Sequence, residues 1–413
     1  MSPHQSVTVI GIGADGWEGL PVRLRTRVLE AGVVLGGARH LALLPPADQA
    51  RVPWPRPLRE RLPVLLAEYA DRSVVALASG DPMLSGIGTT LVGLLGAEAV
   101  DVHPAVSSVA LARARMGWSA ESTYVVSLVG RPLERVLAAL APGRRLLVLS
   151  ADETTPGALA GLLTAAGHGE ARMSVLGDLG AEEESRIDAL AREWSQIAAV
   201  PRLNLVALAM PEAREAAAGG TQYGSWVAGL PDDAFEHDGQ LTKRDLRASA
   251  LARLAPMPGQ LLWDVGAGAG SIGIEWMRAH PTCRTIAVEA HPERAARVTR
   301  NAHALGVPDL VVVEGRSPEA LDGLERPDAI FIGGGARGDG LLEKCQEALR
   351  PGGRLVVHGV TLETEALLAT AYAAHGGELT RIGVETAAPI GGLTGWTPAR
   401  AVTQWAWTKE AGK

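Results

Sequence analysis

The chain has 413 residues, which exceeds the usual size of a single hydrophobic core and predicts two domains. Its 47% of hydrophobic and 21% of charged residues are typical of an ordinary globular protein, and its net charge of −7 counts against a general binder of nucleic acid or anionic membranes. The two cysteines lie far apart without histidine at metal-ligand spacing, so we expect neither a disulfide framework nor a metal site.

A first glycine-rich loop, residues 11–16, follows a predicted strand at 6–10. Taken alone, its glycines match a dinucleotide-binding pattern. The next predicted strand, 33–35, leads into residues 36–40, where no acid is available to bind a ribose. We therefore interpret the loop as lining a substrate cleft. Residues 17–31 between these strands have helical spacing.

The following stretch, residues 45–63, is rich in proline and arginine and is predicted to be an irregular surface connection. A helix at 62–71 and a fully apolar strand at 74–78 come next. The strand ends at Ser79-Gly-Asp-Pro-Met83, where small residues, one acid and a proline form a loop whose backbone can contact a ligand. A tight turn without a ligand is an equal alternative.

A strand beginning at Val100 leads into Pro104-Ala-Val-Ser-Ser108, and the two hydroxyls can cap the helix at 109–116. Helix capping is the simpler explanation of Ser107. Further predicted strands at 123–127, 145–149, 173–176 and 203–208 alternate with helical segments. The alternation predicts an α/β domain at 1–212, a linker at 213–233 and a second domain at 234–413.

The second domain is predicted to begin with a helix that Thr242 caps, with Asp245 three residues later. Lys243, Arg244 and Arg247 crowd the first turn of this helix against the preference of the helix dipole. Anion binding and a solvated surface role are both open for them.

The strongest signal is the strand at 261–265, which runs into Gly266, Gly268 and Gly270 and then into a helix. Asp264 stands two residues before the first of these glycines. A second strand at 284–289 ends in Glu289, at the spacing expected for an acid that binds ribose hydroxyls. Later strands are predicted at 310–314, 328–332 and 354–358, with an antiparallel final strand at 400–408.

These features resemble the class I S-adenosylmethionine-dependent methyltransferases more than a dehydrogenase. The dinucleotide pattern requires a third glycine where this chain has Ser271. In the methyltransferase family an acid at the position of Asp264 lies near the methionine end of the cofactor. The resemblance implies a Rossmann-like C-terminal domain that binds S-adenosyl-L-methionine.

The N-terminal half resembles a different group, the tetrapyrrole methylases. The resemblance is carried, in order, by Gly-Ile-Gly-Ala-Asp-Gly, Ser-Gly-Asp-Pro-Met and Pro-Ala-Val-Ser-Ser. It implies two α/β subdomains with S-adenosyl-L-methionine between them. The chain has Ala14-Asp15-Gly16 where the family more often has Gly-Pro-Gly, which puts the role of Asp15 in doubt. Carried over residue by residue, the cofactor contacts of this half are Gly80, Asp81, Met83, Ser107 and Ser108.

The two halves together resemble the bifunctional precorrin-6Y C5,15-methyltransferases (decarboxylating) of cobalamin biosynthesis. This resemblance implies methylation of a precorrin-6 intermediate at C5 by the N-terminal site and at C15 by the C-terminal site, with loss of carbon dioxide from the C12 acetate to give precorrin-8X. The cofactor contacts implied for the C-terminal half are Thr242, Asp264, Gly266, Ala267, Gly268, Ala269, Gly270, Glu289 and Ser317.

A tetrapyrrole substrate carries many carboxylates, which arginine recognises in a bidentate manner. No catalytic side chain is assigned, because a meso carbon between electron-rich pyrroles is already a nucleophile and chiefly needs placement. A solvated surface role is the alternative for each cationic candidate. The candidates for substrate binding are Arg39, Arg113, Arg115, Lys243, Arg244, Arg247 and Arg316, with the turn around Gly334 expected to line the tetrapyrrole side.

The competing hypotheses are a nicotinamide-dependent oxidoreductase that uses one glycine loop, a non-enzymatic scaffold, and a methyltransferase acting on RNA. The glycine spacing counts against the first, the retained small residues and acids against the second, and the acidic charge against the third. With no signal-peptide pattern and no run of 18 apolar residues, we expect a cytoplasmic protein without membrane or nucleic-acid partners. The family resemblance further implies a homo-oligomer formed through the C-terminal domain, and transient handover with neighbouring pathway enzymes is a further expectation.

Overall fold

The computed structural model describes residues 6–197, 199–212 and 225–410. The chain divides into two compact units: unit 1 comprises Met1–Arg131 and Pro142–Ala216, and unit 2 comprises Pro132–Ala141 and Ala217–Lys413. Residues 213–224 of the predicted linker lie outside the described residues. Leu230, near the end of that linker, is buried in the hydrophobic core of unit 2. The boundaries predicted from the sequence stay a prediction.

Unit 1 begins with a five-stranded parallel sheet in the order β3-β2-β4-β1-β5. Central strands such as β1 and β4 are buried over nearly their full length, which explains their continuous apolar sequences. The strands are β1 (Val7–Ile12), β2 (Val33–Gly36), β3 (Ala50–Pro53), β4 (Val74–Ser79) and β5 (Val100–His103). The helices among them are α1 (Gly16–Gly19), α2 (Val22–Leu29), α3 (Ala38–Ala42), α4 (Leu58–Glu68), α5 (Ile87–Leu95) and α6 (Ser108–Met116).

A second, mixed sheet completes unit 1, in the order β6-β7-β10-β8-β9. Only β6 and β7 pair in parallel in this sheet, and the other described pairs are antiparallel. Its elements are β6 (Thr123–Ser127), β7 (Arg145–Leu149), α7 (Thr155–Ala165), β8 (Arg172–Gly177), β9 (Ser185–Leu190) and β10 (Asn204–Ala209).

Two local expectations for unit 1 are corrected. The proline-rich stretch at 45–63 is not irregular throughout, since it contains β3 and the start of α4. The local sequence pattern of β3 is weak, and the strand is stabilised by its pairing with β2. The predicted helix at 17–31 is two helices, because Leu20, the C-cap of α1, is extended and Pro21 is the N-cap of α2. Strand β9 was not expected from the sequence.

Unit 2 is built on a seven-stranded sheet in the order β13-β12-β11-β14-β15-β19-β16. The first five strands are parallel, and β19 runs antiparallel to β15 as the sequence predicts. Strands β17 and β18 form a separate hairpin. The strands are β11 (Leu261–Val265), β12 (Arg284–Glu289), β13 (Val311–Glu314), β14 (Ala329–Ile332), β15 (Arg354–Gly359), β16 (Glu378–Ile382), β17 (Glu385–Ile390), β18 (Leu393–Pro398) and β19 (Val402–Thr408). The helices are α8 (Arg244–Leu254), α9 (Ser271–Ala279), α10 (Pro292–Ala304), α11 (Leu341–Ala348) and α12 (Leu362–His375).

Strand β11 occupies the centre of this sheet and is buried at all five positions. Successive side chains of β11 point to opposite faces of the sheet. Leu262 packs in one hydrophobic cluster, with α8 and α9, and Trp263 packs in the other, with α11 and α12. Its neighbours are β12 on one side and β14 on the other, so the chain leaves the sheet centre in opposite directions after β11 and after β13. The carboxyl end of β11 is therefore the topological switch point, where ligands bind in open α/β sheets.

These observations confirm the predicted α/β class for both halves. Among the described residues, no helix combines the length and the apolar character needed to cross a membrane.

Candidate functional site

In unit 2, the glycine-rich turn after β11 is fixed by backbone hydrogen bonds to the next strand. The amides of Gly266 and Ala267 both donate to the carbonyl of Val288, at 2.9 and 3.2 Å. Gly268 has φ of +60°, and a Cβ there would lie 2.9 Å from the carbonyl oxygen of Gln240. Only glycine meets both conditions, so this turn keeps its backbone open to a ligand.

The acid predicted to bind a ribose stands beside that turn. Glu289 ends β12, is buried, and accepts a hydrogen bond from the amide of Gly268 at 2.8 Å. Its other carboxylate oxygen accepts from the amide of His291 at 3.0 Å. The amide of Gly315, after β13, donates to the carbonyl of Glu289 at 3.0 Å. Glu289 thus joins the ends of three neighbouring strands, and each carboxylate oxygen retains a lone pair for a hydroxyl.

Asp264 lies beneath the turn and does not reach its surface. It is completely buried, and its carboxylate accepts from the amide of Gly273 in α9 at 3.0 Å. Burial raises the pKa of Asp264 to about 7; the hydrogen bond from Gly273 opposes this shift and the charge of Glu289 adds to it. The structure therefore places Asp264 where it anchors the start of α9 to the sheet.

The segment that precedes α8 also reaches this site. Asn301, on α10, is buried and donates to the carbonyls of Glu236 and Ala269, both at 2.9 Å. Its own side-chain oxygen accepts from the amide of Glu236 at 2.9 Å. One side chain thus ties residues before α8 to the glycine-rich turn. Asn301 is not among the residues selected from the sequence; the signal available there was a polar residue on the apolar face of α10, beside Val298 and Ala302.

The basic residues at the start of α8 divide into two groups. Arg247 is fully buried, donates from Nε to Glu275 at 2.5 Å and from Nη1 to Asp232 at 3.3 Å, and stacks on Phe235. It also donates to the carbonyls of Leu230 and Thr242. Arg247 is therefore not a substrate-binding candidate, because its guanidinium is buried and donates its hydrogen bonds to groups within the fold. Lys243 and Arg244 are exposed, and Lys243 lies 3.5 Å from Asp232.

The expected capping role of Thr242 is wrong. The N-cap of α8 is Lys243, and no side chain caps this helix end. Thr242 precedes the cap by one residue, and its carbonyl holds Arg247 at 2.5 Å. The buried Arg247 fixes where the helix begins, which local capping preference could not show.

The remaining candidates of unit 2 lie at the same sheet edge. Arg316 is exposed and Ser317 half-buried after β13, and the turn 333–335 after β14 is exposed. The amide of Gly333 donates to the carbonyl of Val265 at 3.2 Å, and the carbonyl of Gly334 would lie 3.0 Å from a Cβ at Gly266. The structure thus brings the ends of β11 to β14 together, as the sequence predicts.

In unit 1, three loops selected from the sequence converge at the carboxyl ends of β1, β4 and β5. They are residues 11–16, 79–83 and 104–108. The amide of Gly80 donates to the carbonyl of Ile12 at 3.0 Å, and the carbonyl of Gly80 accepts from Ala105 at 3.1 Å. Gly80 has φ of +50°, and a Cβ there would lie 3.1 Å from Cα of Ser107. The backbones are packed too closely for side chains, so the three loops form one surface.

The side chains on that surface have mixed roles. Asp81 accepts from the amide of Met83 at 2.9 Å and so shapes its own turn, while Met83 is exposed. Ser107 is the N-cap of α6 and accepts from Ala110 at 3.1 Å, which is the simpler of the two roles considered for it. Ser108 is the first residue of α6.

The arginine candidates of unit 1 separate in the structure. Arg115 forms a bidentate pair with Glu184, at 2.5 and 3.0 Å, which counts against substrate binding. Arg113 lies in the last turn of α6, where its charge acts on Glu121. Arg39 stands on α3 next to Ser79, one residue before Gly80. Arg39 alone of the three lies beside the convergence of loops.

Two protein families match separate parts of the chain. The family described as tetrapyrrole (corrin/porphyrin) methylases matches residues 6–194, and the precorrin methyltransferase domain family matches residues 233–409. These matches establish a tetrapyrrole methylase N-terminal part and a methyltransferase C-terminal part. They give no support to a nicotinamide oxidoreductase.

Individual relatives cover almost the whole chain. A precorrin-6Y C(5,15)-methyltransferase [decarboxylating] of a Sinorhizobium species is 48% identical over 98% of this chain and 96% of its own. A protein of the same name from Mycobacterium tuberculosis is 46% identical over 98% of this chain and 100% of its own. A crystal structure of the C-terminal domain of precorrin-6Y C5,15-methyltransferase from Rhodobacter capsulatus is 43% identical, covers 45% of this chain and all of its own, and has a TM-score of 0.43. At such identity over both halves, the chain belongs to the family of precorrin-6Y C(5,15)-methyltransferases [decarboxylating].

Proposed function

We propose that the chain methylates a precorrin-6 intermediate at C5 in its N-terminal site and at C15 in its C-terminal site, and removes the C12 acetate carboxyl group as carbon dioxide. The observation that carries this proposal is the 48% identity, over 98% of the chain, with a relative named for both methylations and for decarboxylation. The chain is a methyltransferase of cobalamin biosynthesis, and methyltransferases of this family use S-adenosylmethionine.

We place one S-adenosylmethionine site in each unit, with domains at 1–212 and 234–413. In unit 2, the open glycine turn at Gly268 and the two carboxylate oxygens of Glu289 fit a ligand with a ribose. In unit 1, the loop at Gly80 has no room for a side chain at that position, so its backbone stays open beside the turn at Ser107. When bound, S-adenosylmethionine supplies an electrophilic methyl group.

The residues of the chain position the meso carbon of the substrate against the methyl group. A meso carbon is nucleophilic without a base, so its in-line alignment with the sulfonium supplies most of the rate gain. Exposed cations near each glycine loop suit the carboxylates of the substrate: Arg39 in unit 1, and Lys243, Arg244 and Arg316 in unit 2. Arg113 remains a weaker candidate, and the exposed turn at Gly334 suits the flat face of the ring.

For the decarboxylation, the methylated ring can accept the electron pair that the departing carbon dioxide leaves behind. The protein then needs only to hold the acetate carboxylate in apolar surroundings. We assign no side chain to this step.

We also propose a homo-oligomer formed through the C-terminal part. The β17–β18 hairpin exposes three large apolar side chains, with Ile390 62%, Leu393 79% and Trp396 69% accessible. Exposed apolar groups this close together are typical of an interface. A cytoplasmic location and a transient handover of the tetrapyrrole to neighbouring pathway enzymes complete the proposal.

The proposed function is tested with the full chain, a precorrin-6 substrate and S-adenosylmethionine carrying a 13C-labelled methyl group. We expect two labelled methyl signals, one at C5 and one at C15, and a product mass that shows two methyl groups gained and one carbon dioxide lost. Calorimetric titration with S-adenosylhomocysteine is expected to give two sites per chain.

The variant Gly268→Val separates the two sites, because its side chain would strike the carbonyl of Gln240. We expect it to lose C15 methylation and one calorimetric site while it keeps C5 methylation. Gly383→Val is the matched control, since a Cβ at Gly383 meets no atom within 4 Å. A chain that transfers no methyl group, or a Gly268→Val variant that keeps both methylations, would contradict the proposal.

A further inference from the structure

Three side chains from two separate parts of unit 1 form a small polar cluster, which we call the Arg39 cluster: Arg39, His40 and Ser79. His40 Nε2 lies 2.9 Å from Ser79 Oγ and 2.9 Å from Nη2 of Arg39, and that same Nη2 donates to Ser79 Oγ at 3.2 Å. Arg39 and His40 are on α3, which follows β2, and Ser79 is the last residue of β4. Because β2 and β4 are neighbours in the sheet, their carboxyl ends bring the cluster together.

The cluster borders the loop surface already described. Ser79 directly precedes Gly80, whose backbone joins the ends of β1 and β5. Asp178, which follows β8 in the other sheet of unit 1, acts electrostatically on Arg39. Desolvation lowers the pKa of Arg39, and the Asp178 carboxylate opposes that shift. Arg39 is therefore within electrostatic range of the segment that follows β8.

His40 is neutral at physiological pH. Burial is the largest cause, and the neighbouring Arg39 charge adds to it, so that the pKa of His40 falls to about 4. A neutral imidazole can accept an N–H from Arg39, whereas an imidazolium cannot. Its other nitrogen, Nδ1, is buried and has no hydrogen-bond partner among the residues that the structure describes. A buried Nδ1 and an occupied Nε2 suit an orienting role better than proton exchange with a substrate.

The guanidinium of Arg39 keeps most of its donors free. Within the described part of the chain, its hydrogen bonds to His40 and Ser79 use Nη2 alone. Arg39 as a whole residue is exposed, and Nε and Nη1 form no hydrogen bond with the residues that the structure describes. A guanidinium held at Nη2 still offers the N–H groups of Nε and Nη1, and either can form a charge-assisted hydrogen bond with a carboxylate.

We infer that His40 is a positioning residue that, with Ser79, holds Arg39 to receive a carboxylate side arm of the tetrapyrrole at the N-terminal site. The inference rests on the proposed function, since it names how that site recognises its substrate. It assigns His40 no part in bond making.

The test uses the full-length chain and the labelled-methyl assay, with C15 methylation as an internal control in the same molecule. For His40→Leu we expect the KM for the tetrapyrrole in C5 methylation to rise about tenfold, the scale of one lost charge-assisted hydrogen bond. We expect kcat for C5 methylation and both constants for C15 methylation to change by less than about twofold. His40→Gln, which retains a side-chain acceptor, is expected to restore most of the KM.

A double-mutant cycle distinguishes positioning from a general structural effect. Arg39→Ala should raise the same KM, and adding His40→Leu to it should raise KM no further, because the residue being positioned is already absent. His103→Gln is the matched control: His103 lies 2.9 Å from Nη1 of Arg27 and 2.9 Å from Asp101, a similar contact outside the Arg39 cluster. It is expected to leave the KM unchanged.

Each result has a defined meaning. An unchanged KM in His40→Leu, or effects of His40→Leu and Arg39→Ala that add in full, would overturn this inference alone. Should His40→Leu not fold, as judged by circular dichroism and denaturant unfolding, Ser79→Ala takes its place with an expected rise in KM of about threefold, and an unchanged value would again overturn the inference. No methyl transfer by the unsubstituted chain would overturn the proposed function and this inference with it.

Discussion

The carboxylate of Glu289 accepts a hydrogen bond from the amide of Gly268 at 2.8 Å, which connects the end of β12 to the glycine-rich turn after β11. The same carboxylate holds the amide of His291 at 3.0 Å. An acid selected in the sequence for its distance from a glycine turn is thus in direct contact with that turn. One side chain both shapes the turn and offers acceptors to a ligand.

Replacing Glu289 with glutamine is expected to weaken binding of S-adenosylhomocysteine at one of two sites. The amide nitrogen of glutamine would face a backbone N–H, so one hydrogen bond is lost and two donors are opposed. We expect a loss of about 2 kcal/mol, or roughly thirtyfold in Kd. Calorimetry measures the change, with Glu343→Gln on the exposed face of α11 as the control. Equal affinities in Glu289→Gln and the unsubstituted chain would contradict the role of Glu289.

Asn301→Leu is expected to destabilise unit 2 and to loosen its cofactor site together. The substitution leaves the amide and carbonyl of Glu236 and the carbonyl of Ala269 without their partner. Buried unpaired groups of this kind cost about 3 kcal/mol in total. Urea denaturation measures the stability, and calorimetry the affinity.

Asn204→Leu provides the comparison, because Asn204 donates to the carbonyls of Asp152 and Pro201 in unit 1. It should destabilise unit 1 without changing the affinity of the unit 2 site. If the two asparagine variants affect that site equally, the link through Asn301 is wrong.

Asp264 is expected to make stability fall as pH rises. Its pKa is raised to about 7 in the folded chain, from an ordinary value of 3.8. Between these values the folded state binds more protons than the unfolded state, so its stabilising effect is complete below about pH 4 and is lost as pH passes 7. For Asp264→Asn, the unfolding free energy relative to the unsubstituted chain should increase by about 3 kcal/mol from pH 4.5 to 7.5. Denaturation at both pH values measures it, and parallel curves for the two proteins would refute the raised pKa.

Arg247→Met is expected to destabilise unit 2 strongly, because it leaves Glu275 buried without its cation. The Glu275 carboxylate also accepts from the amides of Gly229 and Leu230, at 2.6 and 3.0 Å, so its charge stays in place. Removal of one partner of such a buried pair costs about 3 to 5 kcal/mol.

The double variant Arg247→Met, Glu275→Gln should recover part of that loss in denaturant unfolding, since no buried charge remains. At a temperature where Arg247→Met stays folded, its KM for the tetrapyrrole should equal that of the unsubstituted chain. A raised KM under those conditions would show that Arg247 does contribute to substrate binding.

Local features of the sequence were sufficient for much of the fold. Strand β11 was predicted at its observed bounds, as were β6, β7 and β12, because each is a short apolar or alternating run ended by polar or small residues. Strand β3 was missed, since its stability comes from pairing with β2 and not from its own residues. The hairpin of β17 and β18 also gave too weak a pattern.

What the sequence determined by itself is the α/β class, the glycine-rich turns and the acids that follow the strands, because glycine conformation and strand alternation act over a few residues. Only the tertiary structure decided which charged side chains are buried in ion pairs and which stay exposed. Arg247 and Arg39 look alike in the sequence. In the structure Arg247 is buried and pairs with Glu275 and Asp232. Arg39 is exposed and hydrogen-bonds to His40 and Ser79. Partners such as Ser79 lie 39 residues away from His40 along the chain, and strand order, which local pattern does not encode, brings them together.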